Sequence, residues 1–185
     1  YAGTNGEIAL WHDGVLFVCS TAAGPAFEGA GIHMGCGSVS GAVDGVSIQE
    51  NGSLDAHTIG NAPAVGICGS GLIDALACLL RLGRVDETGA TREDRLYITD
   101  EVYLLPRDIR AAQLAKAAIA AGIRTLLQTA GIGLSKVKAL YLAGGFGSRM
   151  NAGSAAAIGL IPFDLAGFAR VIGNAALTGA GMLLL

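Results

Sequence analysis

The chain has 185 residues, 52% of them hydrophobic, with 29 glycines and a net charge of −3. That is enough for one domain with a real core. No apolar run approaches the ~18–20 residues of a membrane-spanning helix, and no basic cluster suits a nucleic acid, so neither is expected as a partner. No signal peptide is legible. The four cysteines, Cys19, Cys36, Cys68 and Cys78, form no Cys-x-x-Cys pair. An iron–sulfur or zinc site built by this chain alone is therefore not expected, and the thiols read as buried and reduced, in a cytoplasmic protein.

The chain opens on Gly3-Thr4-Asn5-Gly6-Glu7, which leads into the apolar run Ile8–Trp11. Asp13-Gly14 then turns into a second run, Val15–Cys19, so a glycine loop sits on the lip of a β-hairpin. A chain that begins inside such a motif reads as part of a larger protein. Residues 21–41 are a glycine-rich loop. Two short strands over 43–48 and 54–59 follow, parted by Asn51-Gly52-Ser53, and with the hairpin they predict an antiparallel-to-mixed sheet. Leu72, Ile73, Leu76, Leu79 and Leu80 recur at helical spacing, which predicts a helix from about Ser70 that Gly83 ends. Residues 84–95 are a polar loop, and 96–98 and 102–104 are short strands.

Pro106 and Asp108 open the longest helix, whose buried face carries Ile109, Ala112, Ala115, Ile119, Ile123 and Leu126. Gly131-Ile132-Gly133 breaks it. A strand over 137–143 runs straight into Gly144-Gly145-Phe146-Gly147, and an alanine-rich helix over 152–158 follows. The segment from Gly173 onward reads as a further helix, with Met182–Leu185 as its buried end. Strand, glycines, helix is an α/β unit, and ligands of α/β sheets sit at that junction.

Four glycine loops lie at element boundaries: residues 3–7, 66–71, 144–147 and Gly173-Asn174. Glycine lets backbone N–H groups converge on an anion with no Cβ in the way, and a helix N-terminus adds partial positive charge. Thr4, Asn5 and Ser70 can add side-chain hydrogen bonds. A single such loop is more often a tight turn; several with flanking Thr, Asn and Ser point to a nucleotide. None is a Walker A loop or a dinucleotide fingerprint. Glu7 either organises magnesium-bound water or is a surface residue of the first strand. Gln113 and Lys116 lie three apart on one helix and can face one ligand, or a solvated face. Phe146 packs by an adenine or anchors its loop, and Arg149 is placed to stack on a base. Asp74 reads as a helix-dipole residue, and His12, His33 and His57 as structural or exposed. No Ser/His/Asp set or acid pair is legible, which suits phosphoryl transfer to water.

Residues 3–8, 19–30, 66–74, 113–119, 142–147 and 173–177 together resemble the ATP-dependent reductive activators of corrinoid proteins, over nearly the whole chain. The resemblance implies an α/β fold: a ribonuclease-H-like mixed sheet flanked by helices, one lobe of an actin-like ATPase fold. It implies one domain over 1–185, the second lobe of a multidomain protein. Gly3, Thr4, Asn5, Gly6 and Glu7 would be its second phosphate loop. Gly144, Gly145, Phe146 and Gly147 would be its adenosine loop, with Gly69, Ser70, Gln113 and Lys116 as further nucleotide contacts. The implied cofactors are ATP and Mg2+, with a [2Fe–2S] cluster in an upstream part rather than in this chain. The implied partner is a corrinoid protein or corrinoid-dependent methyltransferase component, with a homodimer left open. The family usually has an aspartate where this chain has Tyr1, and its first phosphate loop lies upstream, so hydrolysis is expected of the full-length protein only. Two other readings stand beside this one: a docking module with a degenerate nucleotide site, and a small-molecule kinase of the same superfamily.

Overall fold

The computed structural model describes residues 4–147 and 149–184, with Phe146 by its backbone only. The opening hairpin forms as its alternation predicts. Strands β1 (Gly6–His12) and β2 (Val15–Thr21) pair antiparallel, Gly6 opposite Thr21 and His12 opposite Val15. Asp13 and Gly14 both take positive φ, 47° and 79°, which is the backbone twist a two-residue hairpin turn needs.

The hairpin does not join the next strands, contrary to expectation. Strand β3 (Ala42–Ile48) instead centres its own three-stranded sheet, antiparallel to β4 (Leu54–Thr58) and parallel to β5 (Gly66–Ile67). The physical reason lies in the long loop. A 3-10 turn over Pro25–Glu28 carries buried Ala26 and Phe27 and packs them against the two long helices, parting the hairpin from the next strands. Helix α1 (Gly69–Arg81) leaves β5 at once and lays Leu72, Ile73, Leu76 and Leu79 on the core. It approaches β3 so closely that a Cβ on Gly71 would stand 2.2 Å from the Val43 carbonyl oxygen.

A small hairpin, β6 (Leu96–Tyr97) and β7 (Tyr103–Leu104), leads to helix α2 (Pro106–Thr129). Proline at the first helical position costs no hydrogen bond. Asp108, fully buried, accepts the Leu105 N–H at 2.8 Å and the His33 N–H at 2.9 Å. Its charge also suits a helix N-terminus. Helix α2 runs along the hairpin in the direction of β1: Gly6 lies against Ile119, and Gly122 against Ile8 and Cys19.

Strand β8 is shorter than the predicted 137–143: residues 134–136 form a 3-10 turn and the strand covers Leu140–Ala143. It pairs in parallel with β9 (Ala169–Gly173), a strand that the sequence reading passed over. Residues 144–147 are not an open loop but a short helical turn, α3 (Gly144–Gly147). Helix α4 (Ala152–Ala157) is capped by Asn151, whose side-chain oxygen accepts the Ser154 N–H at 3.1 Å. Helix α5 (Ala175–Leu183) is capped in the same way by Asn174. No described residue of α5 is buried. Met182, Leu183 and Leu184 are exposed, against the expected buried end.

Between β1 and β8 lies a cleft of about 710 Å³. Ile119, Ile123, Leu126 and Leu127 of α2 form its floor. Since α2 runs with β1 and the chain then reverses into β8, the glycine turn after β8 comes back to the starting end of β1. Both Glu7 and Gly147 line the cleft.

Candidate functional site

Gly3 lies outside the described residues; the rest of the first loop displays donors. The Thr4 N–H donates to Glu28 Oε1 at 3.1 Å and the Thr4 hydroxyl to Glu28 Oε2 at 2.6 Å. The Gly24 N–H donates to the Thr4 carbonyl at 2.8 Å. The loop thus holds an anion, the carboxylate of its own chain. Both bonds are solvent-exposed, so the carboxylate is displaceable. Thr4, Asn5 and Glu7 are exposed and Gly6 is buried.

The second loop sits at the end of β8. Gly144 takes φ 92°, and Gly145 is exposed with open space where a Cβ would be. Two residues past Gly147, the Arg149 guanidinium meets Asp44 Oδ2 at 3.3 Å. It is therefore engaged with a carboxylate in this structure, not placed as a free stacking group. Asp44 Oδ1 pairs with His57 Nδ1 at 2.5 Å, and the Asp44 carbonyl accepts the Ser70 hydroxyl at 2.9 Å. The Asp44 side chain is 6% exposed. This node joins β3, β4, the start of α1 and the chain beyond the glycine turn.

Asp74 lies one layer below, on α1. Its Oδ2 accepts the Val46 N–H at 3.4 Å, while Oδ1 is buried with no partner among the described residues. Burial pushes its carboxyl above the usual carboxylate range and the nearby Asp44 adds to this, against hydrogen bonds from Ser154 and Val46.

Of the two glycine loops, the structure brings one residue each, Glu7 and Gly147, to one cleft. Gly69 and Ser70 are buried beside Asp44, one hydrogen bond removed from Arg149's partner. Gln113 and Lys116 point elsewhere. The Gln113 amide donates to the Thr88 carbonyl at 2.8 Å and accepts from Arg110 at 3.2 Å. Both residues border a crevice of about 40 Å³ with Asp86 and Glu87. The sequence reading missed Glu28 and Asp44. Glu28 lay unremarked inside a quoted motif, and a lone acid within Val43–Ile48 was the available signal for Asp44. Among the described residues no three His, Cys, Asp or Glu side chains are placed to hold a metal ion. Cys36 and Cys68 are neighbours, and burial with the Cys68 sulfur nearby pushes the Cys36 thiol up. Among the described residues no helix is long and apolar enough to cross a membrane.

The family model for the C-terminal domain of RACo, the ASKHA domain, matches residues 2–185. The chain is 36% identical to the corrinoid activation enzyme RamQ of Eubacterium limosum, over 99% of this chain and 35% of that protein. It is 30% identical to the [Co(II) methylated amine-specific corrinoid protein] reductase of Methanosarcina barkeri, over 99% of this chain and 38% of that protein. Among solved structures, a reductive activator for corrinoid, iron-sulfur protein superposes over 100% of this chain and 33% of its own, with a TM-score of 0.86 and 38% identity. The chain spans about a third of the length of these relatives.

Proposed function

The chain belongs to the family of C-terminal ASKHA domains of RACo, and on that premise we propose that it is the ATP-binding lobe of a reductive activator of a corrinoid protein. The observation that carries the reading is the anion-holding loop at Thr4, whose following residue Glu7 lines the same cleft as Gly147, the last residue of the glycine turn after β8. The backbone N–H and hydroxyl of Thr4, with Asn5, Gly6 and Glu7 beside them, take phosphate oxygens in place of Glu28. Gly144–Gly147 lets backbone approach the adenosine. Bound ATP with Mg2+ supplies the free energy that favours one conformation of the whole protein over another. In that longer protein, one electron passes from an iron–sulfur cluster upstream of this chain to Co(II) of the corrinoid partner, giving Co(I). A cytoplasmic setting suits the reduced thiols.

The glycine turn offers a clean probe. A Cβ at Gly145 meets nothing within 4 Å and φ there is not positive, so Gly145→Trp in the full-length protein should fold normally while filling the approach to the turn. Calorimetry should find ATP binding abolished with the melting temperature kept. Unchanged affinity would remove this turn from the site.

A further inference from the structure

One array of cations and rings on the surface takes no part in the nucleotide chemistry. The β6–β7 register sets Tyr97 opposite Tyr103, and the two rings lie 5.3 Å apart. The His33 ring meets Tyr103 from a distant part of the chain, also at 5.3 Å. The Arg95 guanidinium carbon stands 4.8 Å from the centre of the Tyr103 ring, within cation–π reach. Arg107, in the first turn of α2, sets Nη2 3.2 Å from His33 Nδ1. A guanidinium only donates, so Nδ1 accepts and the imidazole hydrogen sits on Nε2. That hydrogen goes to the Tyr103 oxygen at 3.0 Å. The Tyr103 hydroxyl therefore keeps its own hydrogen to donate, with no acceptor among the described residues. Asp108, buried beneath, is spent on the backbone N–H groups of His33 and Leu105. Neither Arg95 nor Arg107 enters an ion pair among the described residues.

The array thus presents donors without an acceptor, on a chain of net charge −3. His33, Arg95, Tyr97 and Arg107 are exposed. The array borders neither the cleft nor the crevice beside Gln113, whereas small-molecule sites are concave. Exposed Arg and Tyr are instead the residue types enriched at the energetic centres of protein–protein interfaces. Arg95 is already laid on a ring and Arg107 already held by an imidazole, so docking has little side-chain freedom left to freeze. A partner carboxylate takes a guanidinium bidentately. We propose that this array docks an acidic face of the corrinoid protein on which the longer polypeptide acts. The inference rests on the function proposed above and adds the surface and the chemistry of the contact. Ile119 is the first residue of α2 on the cleft, and Arg107 lies about 18 Å along the helix from it. Partner and nucleotide therefore bind at separate places.

The test is reduction of a Co(II) corrinoid protein of the same organism by the full-length protein, with ATP and a low-potential reductant, as the corrinoid protein concentration is varied. Arg95→Glu combined with Arg107→Glu should raise the KM for the corrinoid protein about tenfold or more, with kcat and the calorimetric affinity for ATP kept. Tyr103→Phe, which keeps the ring and removes one hydrogen, should raise it about threefold. The wild-type KM should climb with salt, and that of the double variant less steeply. Photo-crosslinking from p-benzoylphenylalanine at Tyr97, which is exposed, should reach an acidic segment of the corrinoid protein. An unchanged KM in a double variant that still binds ATP overturns the docking alone. So does a crosslink to a second copy or to another segment of the same chain. If the double variant does not fold, Tyr103→Phe and the wild-type salt series decide, and a KM indifferent to both overturns the docking. A full-length protein that reduces no corrinoid protein at any concentration overturns the functional reading, and the docking with it.

Discussion

Glu28 is the residue whose role changes most between sequence and structure. Its carboxylate occupies the donors of Thr4, so a phosphate bound there as proposed replaces it. A hydrogen bond to a charged group is worth about 1.5–3 kcal/mol when sheltered, and exposed pairs deliver about 1 or less. Glu28→Gln in the full-length protein should therefore tighten ATP binding by up to about fivefold, measured by calorimetry; weaker binding would mean that Glu28 positions Thr4 rather than competing for it. Asp74 makes a different prediction. Its folded-state pKa is raised by burial, so the folded state binds a proton more tightly than the unfolded chain. Its cost is absent below the unfolded value of about 3.9 and grows as pH rises through the folded one. Asp74→Asn keeps an acceptor for the Val46 N–H. It should raise the melting temperature at pH 7, and that gain should shrink toward pH 3. A gain independent of pH would show that the charge is not the cause.

At the scale of elements, close approach by two glycines separates contacts that can yield from one that cannot. On Gly71 a Cβ meets the Val43 backbone oxygen at 2.2 Å; on Gly122 it meets side-chain tips, Thr21 Cγ2 at 2.5 Å and Ile8 Cδ1 at 2.7 Å. Overpacking costs about 1–3 kcal/mol, and Gly to Ala within a helix returns about 1 kcal/mol. Gly71→Ala, in the first turn of α1, should lose most of that range in a urea titration. Gly122→Ala, in mid-helix against flexible tips, should lose clearly less. The elements that were legible in sequence are those with long periodic stripes, α1 and α2, and the hairpin with its Asp13-Gly14 turn. β9 was not legible because five residues, Ala169–Gly173, follow a 3-10 segment with no alternation to mark them. The end of α5 was misread because a run of leucines does not say whether anything covers it.

At the scale of the whole molecule, apolar surface is divided unevenly. The core around α1, β3 and α2 is well filled, whereas the cleft and α5 leave aliphatic surface open to solvent. Contiguous exposed apolar surface marks an interaction site. The 185-residue chain alone should therefore enhance the fluorescence of a hydrophobic dye such as ANS, and the full-length protein should do so much less per molecule. Equal enhancement in both would mean that the open surface stays open. The two glycine loops of the site were legible in sequence because glycine at an element boundary is a local signal. That one residue of each borders the same cleft was not, because it depends on α2 carrying the chain along β1 before the chain turns back into β8. Gln113 and Lys116 illustrate the converse: helical spacing puts them on one face correctly but says nothing about which cavity that face borders.

The Asp44 node carries one more consequence. Arg149, just beyond the glycine turn, and His57, on a different strand, grip the two oxygens of one nearly buried carboxylate. The imidazole is 63% exposed on its outer side. A movement of the turn that lengthens the Arg149 contact leaves His57 as the side chain still gripping the Asp44 carboxylate. The molecule thereby carries an unlabelled reporter: the ring resonances of one surface histidine register events at a turn it does not touch.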